Sequence, residues 1–199
     1  MDLHAFLRSR RSVRRFKPEA IPDPTVERII ATAACAPSAH NRQPWRFCVV
    51  RSAEAKSRLA DAMAVDFRRD LVRDSLPVED VERRVETSRS RINTSPLVIV
   101  MCMDTSEMDV YPDVRRQDAE RIMAIQSTAA AGLQLLLAAE AEGLAGVWTC
   151  GPLFAPDAVR QALGLEPAWE PQAMFFIGQA GKEPQIKDSK PLETVVRWL

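Results

Sequence analysis

The chain has 199 residues, and its 27 Lys and Arg are balanced by 27 Asp and Glu, so the formal charge at neutral pH is zero. That balance leaves no global field to gather nucleic acid or an anionic membrane. A composition of 46% hydrophobic and 27% charged residues suits a globular chain with one well-buried core rather than two.

In chain order, Leu3, Phe6 and Leu7 fall at helical spacing and predict a short amphipathic helix over 2–10. Asp23 followed by Pro24 predicts an N-cap and a first helical position, opening a helix to about Cys35. Its apolar face is Val26, Ile29, Ile30 and Ala33, and Pro37 lies beyond its end. Phe47–Val50 reads as a buried strand. Residues 53–74 predict a charged helix with Leu59, Ala62, Met63 and Phe67 on one face. Past Pro77, residues 79–91 predict a second charged helix with many i,i+4 pairs. Leu97–Met103 is uninterrupted and apolar, the pattern of a central strand buried on both faces.

Residues 118–142 are Ala- and Leu-rich and free of proline, predicting a core helix that Gly143 stops. Val147–Thr149 predicts a strand running into a Gly151-Pro152 break. A short helix over 156–163, a strand over Met174–Gly178 and a loop over 179–190 follow. No repeat, low-complexity tract or linker divides the chain. The expectation is one α+β domain over residues 1–199.

Several chemistries are disfavoured at this stage. The longest apolar runs, Leu97–Met103 and Leu135–Ala139, are too short to span a bilayer, so no membrane partner is expected. Four scattered cysteines without C-x-x-C, and no apolar signal region at the N-terminus, indicate a reducing, cytoplasmic setting. His4 and His40 are the only imidazoles, and neither has a His or Cys pair nearby, so no metal site is expected. G-x-G-x-x-G and the P-loop pattern are both missing from the sequence.

Two segments carry positive chemistry. Arg10-Arg11-Ser12-Val13-Arg14-Arg15-Phe16 offers cations and a hydroxyl that suit a phosphate, for which Arg is the favoured partner. If the run is extended, Arg10, Ser12 and Arg14 project to one side. Read alone, it fits a solvated basic face equally well, and nucleic acid is disfavoured by the zero net charge. Pro37-Ser38-Ala39-His40-Asn41-Arg42-Gln43-Pro44-Trp45 is a proline-stiffened loop whose Ser38, Asn41 and Gln43 could meet the polar edge of a planar ring. Trp45 reads equally as a core aromatic.

In this order the two segments match R-R-S-x-R-x-F followed by P-S-x-x-N-x-Q-P-W. The chain thereby resembles the FMN-dependent oxidoreductases of the nitroreductase family over nearly its full length. The resemblance implies a mostly antiparallel central sheet flanked by helices, in a homodimer that exchanges a C-terminal strand within Thr194–Leu199 and holds FMN at the subunit interface. It implies FMN bound by Arg10, Arg11, Ser12 and Arg14, with Pro37, Ser38, Ala39, Asn41 and Gln43 from the loop.

Gly143–Gly151 resembles the family's strand and loop beside the reactive flavin nitrogen. There the backbone of Thr149, Cys150 and Gly151 could stabilise reduced-flavin charge. No base is paired with Cys150 in the sequence, so a catalytic thiol is not required, and no catalytic side chain is assigned. Lys187-Asp188-Ser189-Lys190 resembles a basic return to the phosphate through Lys190 or Lys187, or else is a solvated loop. Arg42 is open between substrate contact and surface.

The implied reaction is ping-pong transfer from NADPH or NADH, as transient reductant, through FMN to a small-molecule acceptor. Within the family, Phe67–Leu71, Ser75–Pro77, Val81–Val85, Tyr111–Asp113, Asp118–Glu120 and Trp169–Pro171 resemble one branch in particular. It is the flavin-binding C-terminal domain of the bifunctional ligase of deazaflavin-coenzyme (coenzyme F-420) biosynthesis. That branch implies a dehydro precursor of the deazaflavin as acceptor, with Arg68, Arg69, Arg73, Arg83 and Arg84 as a basic lid. The alternatives are a general nitroaromatic or quinone reductase, and a non-catalytic flavin or deazaflavin carrier.

Overall fold

The computed structural model describes residues 2–182, 184 and 189–199. Among them, four antiparallel strands form one sheet: β1 (Trp45–Val50), β2 (Leu97–Met103), β3 (Ala145–Thr149) and β4 (Glu170–Gly178), in the order β1-β2-β4-β3. Six helices surround it: α1 (Leu3–Ser9), α2 (Asp23–Ala33), α3 (Ala53–Arg73), α4 (Val78–Thr94), α5 (Val114–Ala141) and α6 (Pro156–Leu163). The α+β expectation holds.

Period-2 alternation divides the strands between two cores. Ile99, Met101, Phe175 and Ile177 face α2 and α5, where they meet Ile29, Leu135 and Ala139. Val98, Val100, Met174 and Phe176 face α3 and α6, where they meet Leu59, Met63 and Val159. Every residue of β2 is buried, as an apolar run with helices on both sides requires.

The boundaries that moved have local causes. Pro22 rather than Asp23 caps α2, so Asp23 is already helical and its carboxylate favours the first turn. Asp113 accepts the Arg116 N–H at 3.0 Å and opens α5 four residues before the apolar stretch begins. Gly143, at φ +72°, supplies the left-handed turn that ends the α5 region. In β4 the register skips Gln172 between Met101 and Cys102, a bulge that lets Pro171 lie opposite Cys102. Pro171 has no N–H to offer, and β3 pairs with β4 only from Met174 onward, so no strand bond is lost on that side.

α5 corrects the bilayer argument made from uninterrupted runs. By length and composition this helix could cross a membrane, but half of its apolar window is buried within the fold. It lies against the sheet and α2. What it leaves uncovered is a stripe of Ile122 (53% exposed), Ile125 (39%) and Leu133 (51%). The C-terminal segment, expected as a strand, forms a short 3-10 turn at Leu192–Thr194, with the Val195 and Val196 N–H groups donating to the Leu192 carbonyl, and ends with Trp198 86% exposed. Within one chain that segment meets no strand edge.

Candidate functional site

The basic segment is held in place by backbone pairing at both ends. Ser12 bridges Gly146 in parallel, with the Val13 N–H donating to the Gly146 carbonyl at 3.1 Å. Farther along, Lys17 N–H donates to Gln179 at 2.9 Å and Gly181 N–H to Arg15 at 2.9 Å. Val13 is buried as the anchor, while Ser12 and Arg14 on either side of it are exposed and Arg10 and Arg11 are half-buried. The segment is therefore extended and seals the β3 edge of the sheet.

Charge distribution sets this segment apart. Arginines elsewhere repeatedly find carboxylates: Arg28 with Glu142, Arg46 with Asp104, Arg68 with Glu82 and Arg121 with Glu170. Among the described residues, Arg8, Arg10, Arg11, Arg14 and Arg15 are in no ion pair. Arg11 donates instead to the carbonyls of Arg8 and Arg10. Five cations within eight residues thus lie without a carboxylate partner among the described residues, a local excess of positive charge in a chain of zero net charge. Lys190 is exposed and unpaired among the described residues; Lys187 lies outside them.

β3 leads from the Ser12 bridge to Thr149, Cys150 and Gly151. Thr149 Oγ1 donates to the Met174 carbonyl at 3.0 Å. The Trp148 indole N–H donates to Cys150 Sγ at 3.2 Å. Cys150 is exposed and engaged as an acceptor by the indole. Cys102 is its opposite, a thiol that burial pushes up to about 12. A 3-10 turn, Gly151–Phe154, follows; Pro152 has no N–H and Leu153 N–H donates to the Cys150 carbonyl at 3.1 Å, so among the described residues the Gly151 N–H is the one left free at its start.

The 37–45 loop occupies the other edge of the sheet, next to β1. Ala39 N–H donates to Ser127 Oγ of α5 at 3.1 Å, and Trp45 packs with Ala36 and Ala131. Three non-glycine residues in it are left-handed: His40 (φ 52°), Asn41 (54°) and Gln43 (48°). Its polar groups are partly engaged with one another, since Gln43 N–H donates to Ser38 Oγ and the Gln43 amide to Asn41 Oδ1, both at 3.1 Å. Pro37 is exposed at its start. One chain thus holds the basic segment and this loop at opposite edges of the sheet and at opposite ends of its strands, since Ser12 meets the row of Gly146, Ile177 and Leu97 whereas Trp45 lies in the row of Met103 and Glu170.

Asp104 braces the base of the loop. Its N–H donates to the Pro44 carbonyl at 2.8 Å, and its carboxylate meets Arg46 at 3.1 Å. Burial pushes this carboxyl up, but the Ser106 hydroxyl and N–H and the Arg46 guanidinium outweigh it, holding the group below its usual range. A carboxyl depressed in this way stabilises the native state wherever it is ionised, and that contribution fades as pH falls through the native value. Asp104→Asn is expected to melt below the wild type at pH 7, with the gap closing below about pH 4. Thermal melts at both pH values check this, and a gap independent of pH would refute it.

Sequence reading missed a cavity of about 430 Å³ on the α3/α4 face of the sheet, reached by Thr149 and Gly151. Met63, Phe67, Leu71, Phe154, Met174 and Phe176 give it a largely apolar lining. The one available signal was Phe67, an aromatic on an otherwise charged helix. The arginines considered as a lid are mostly committed. Arg68 makes a two-bond fork to Glu82, both at 2.8 Å, while Arg69 pairs with Asp66 and Arg83 with Asp80.

Residues 7–179 match the family described as the Nitroreductase family. A protein of Thermus thermophilus named NADH dehydrogenase is 28% identical over 222 aligned positions, covering 100% of this chain and 96% of that protein. A BluB-like flavoprotein from Clostridium difficile shares the fold at TM-score 0.82 and 22% identity, covering 100% of this chain and 99% of its own. The NADPH:FMN oxidoreductase of Vibrio harveyi, solved with NAD+, does so at TM-score 0.73 and 19% identity, covering 98% and 76%.

Proposed function

The chain belongs to the nitroreductase family, and from that premise we propose an FMN-dependent oxidoreductase that takes electrons from NADPH or NADH and passes them to a small conjugated acceptor. The observation that carries the reading is the run of unpaired arginines pinned beside the strand that ends in Thr149, Cys150 and Gly151.

The residues fit the group. Arg10, Arg11, Ser12 and Arg14 would hold the phosphate, with Lys190 joining from the C-terminal side. The Gly151 N–H at the start of the turn would face the ring. Bound FMN supplies the two-electron chemistry that no side chain here can perform. This chain's own residues bind, orient and shield it. No side chain need act as a catalytic acid or base.

Homodimerisation belongs to the same proposal. The α5 stripe and the exposed tail call for a cover, and a partner's 37–45 loop could reach the basic segment that the same chain's loop does not. Pro37, Ser38, Ala39, Asn41 and Gln43 would then contribute to the ring across the interface, with the tail exchanged between subunits.

The acceptor is best read as neutral and planar, because Arg68, Arg69 and Arg83 are already neutralised. The deazaflavin precursor, an anion, is the competing substrate. Arg68→Ala is expected to leave turnover of a neutral nitroarene unchanged, whereas a basic lid would make it lose affinity for the anionic precursor in a salt-dependent way. The parent reading is tested by the absorbance spectrum of the pure protein and stopped-flow bleaching with each nucleotide. A yellow dimer bleached by NADPH or NADH is expected. Colourless protein that binds no FMN overturns the function, absence of bleaching points to a carrier, and a monomer by light scattering overturns the interface.

A further inference from the structure

Glu120 is an anomaly in α5. It is 1% exposed while its neighbours Gln117, Asp118, Ala119 and Arg121 are all exposed, with one carboxylate oxygen satisfied and the other without a partner among the described residues. Oε1 accepts the Asp109 N–H at 3.2 Å, whereas Oε2 has no hydrogen-bond partner among the described residues. A buried, unpaired carboxylate oxygen is costly, and it needs a cation or a donor to be tolerated.

Two further donors converge on it from different parts of the chain. His40 comes from the 37–45 loop and Asp109 from the turn after β2, and one donor atom of each lies within 4.8 Å of the others and of Glu120. Among the described residues the His40 imidazole makes no hydrogen bond. Asp109 gives only Oδ1 to Arg42, which leaves Oδ2 available. A tetrahedral shell with ligand bonds of ~2.1 Å needs donors ~3.4 Å apart, and turning the exposed imidazole can close that difference.

We propose that His40, Asp109 and Glu120 bind one divalent first-row transition cation, with zinc the best match. One imidazole and two carboxylates suit zinc, being too nitrogen-rich for calcium or magnesium and lacking the thiolates that select copper(I). The cation discharges the stranded Glu120 oxygen and ties three segments together: α5, the turn after β2 and the left-handed loop at His40. A fourth position stays open to water. This site needs no flavin, so it stands or falls apart from the proposed function.

The test is zinc titration by calorimetry on the full chain, stripped with a chelator and dialysed. One Zn2+ per chain is expected, and His40→Asn and Glu120→Gln should each weaken binding at least ~10-fold. His40→Asn keeps the test sound if Glu120→Gln fails to fold, because asparagine tolerates the left-handed backbone there. Cobalt(II) substitution should give ligand-field bands without a thiolate charge-transfer band, which separates this site from exposed Cys35 and Cys150. Absence of binding, affinity unchanged in His40→Asn, or a thiolate band would each overturn the proposal.

Discussion

Replacing Arg10 with alanine is expected to weaken FMN binding by ~2–5 kcal/mol, at least ~30-fold in dissociation constant. The size follows from position. Arg10 is half-buried at the end of α1, while Arg14 is exposed, so Arg10 loses less of its field to solvent. No carboxylate among the described residues competes for it, so the full charge faces an incoming phosphate. Riboflavin is the discriminating control because it lacks the phosphate. Flavin-fluorescence titrations should show wild type and Arg10→Ala binding riboflavin alike and FMN very differently. Equal losses for both ligands would mean that the arginine supports the fold and not the phosphate.

Gly132→Val is expected to lower stability by about 1–3 kcal/mol, despite removing a glycine from the middle of a helix. A Cβ at Gly132 would stand 2.5 Å from Trp148 Cζ3 and 2.8 Å from Cη2, closer than real side chains approach. Replacing a helical glycine gains at most ~1 kcal/mol in propensity, so overpacking decides the sign. Trp148 cannot simply swing away. Its ring meets Phe175 edge-on at 5.0 Å and its indole N–H is bonded to Cys150. Chemical denaturation measures the cost, and a second substitution, Trp148→Phe, should recover part of it by shortening the obstructing ring. A stabilised Gly132→Val would show that α5 and β3 pack more loosely than these distances indicate.

Elements dictated by burial on two sides were legible from residues alone. Leu97–Met103 is apolar throughout because helices cover both faces, and its bounds are those of β2. The α6 bounds were equally readable, from Pro156 at the start and Gly164 at φ +63° after the end. Elements whose ends depend on tertiary pairing were not. Glu170–Ala173 joins β4 across a bulge at Gln172 and beside Pro171, where local propensity argues against a strand. Trp45 and Arg46 belong to β1 only because Met103 and Cys102 lie opposite them.

The candidate site divides along the same line. The two motifs could be recognised because each is contiguous. The pairing of Ser12 with Gly146, and the separation of the basic run from the loop across the sheet, depend on strand order, which no local pattern encodes. His40, Asp109 and Glu120 are far apart in sequence and were invisible for the same reason.

The strand order also has a consequence for synthesis. β4 occupies an interior position between β2 and β3 yet is the last strand to leave the ribosome. Until it arrives, a nascent chain can pair β1 with β2, but it leaves the other edge of a wholly apolar strand open, and β3 has only the single Ser12 bridge to hold it. The growing polypeptide is therefore exposed to self-association until Gly178 has emerged, and any product ending before Glu170 would keep that sticky edge permanently.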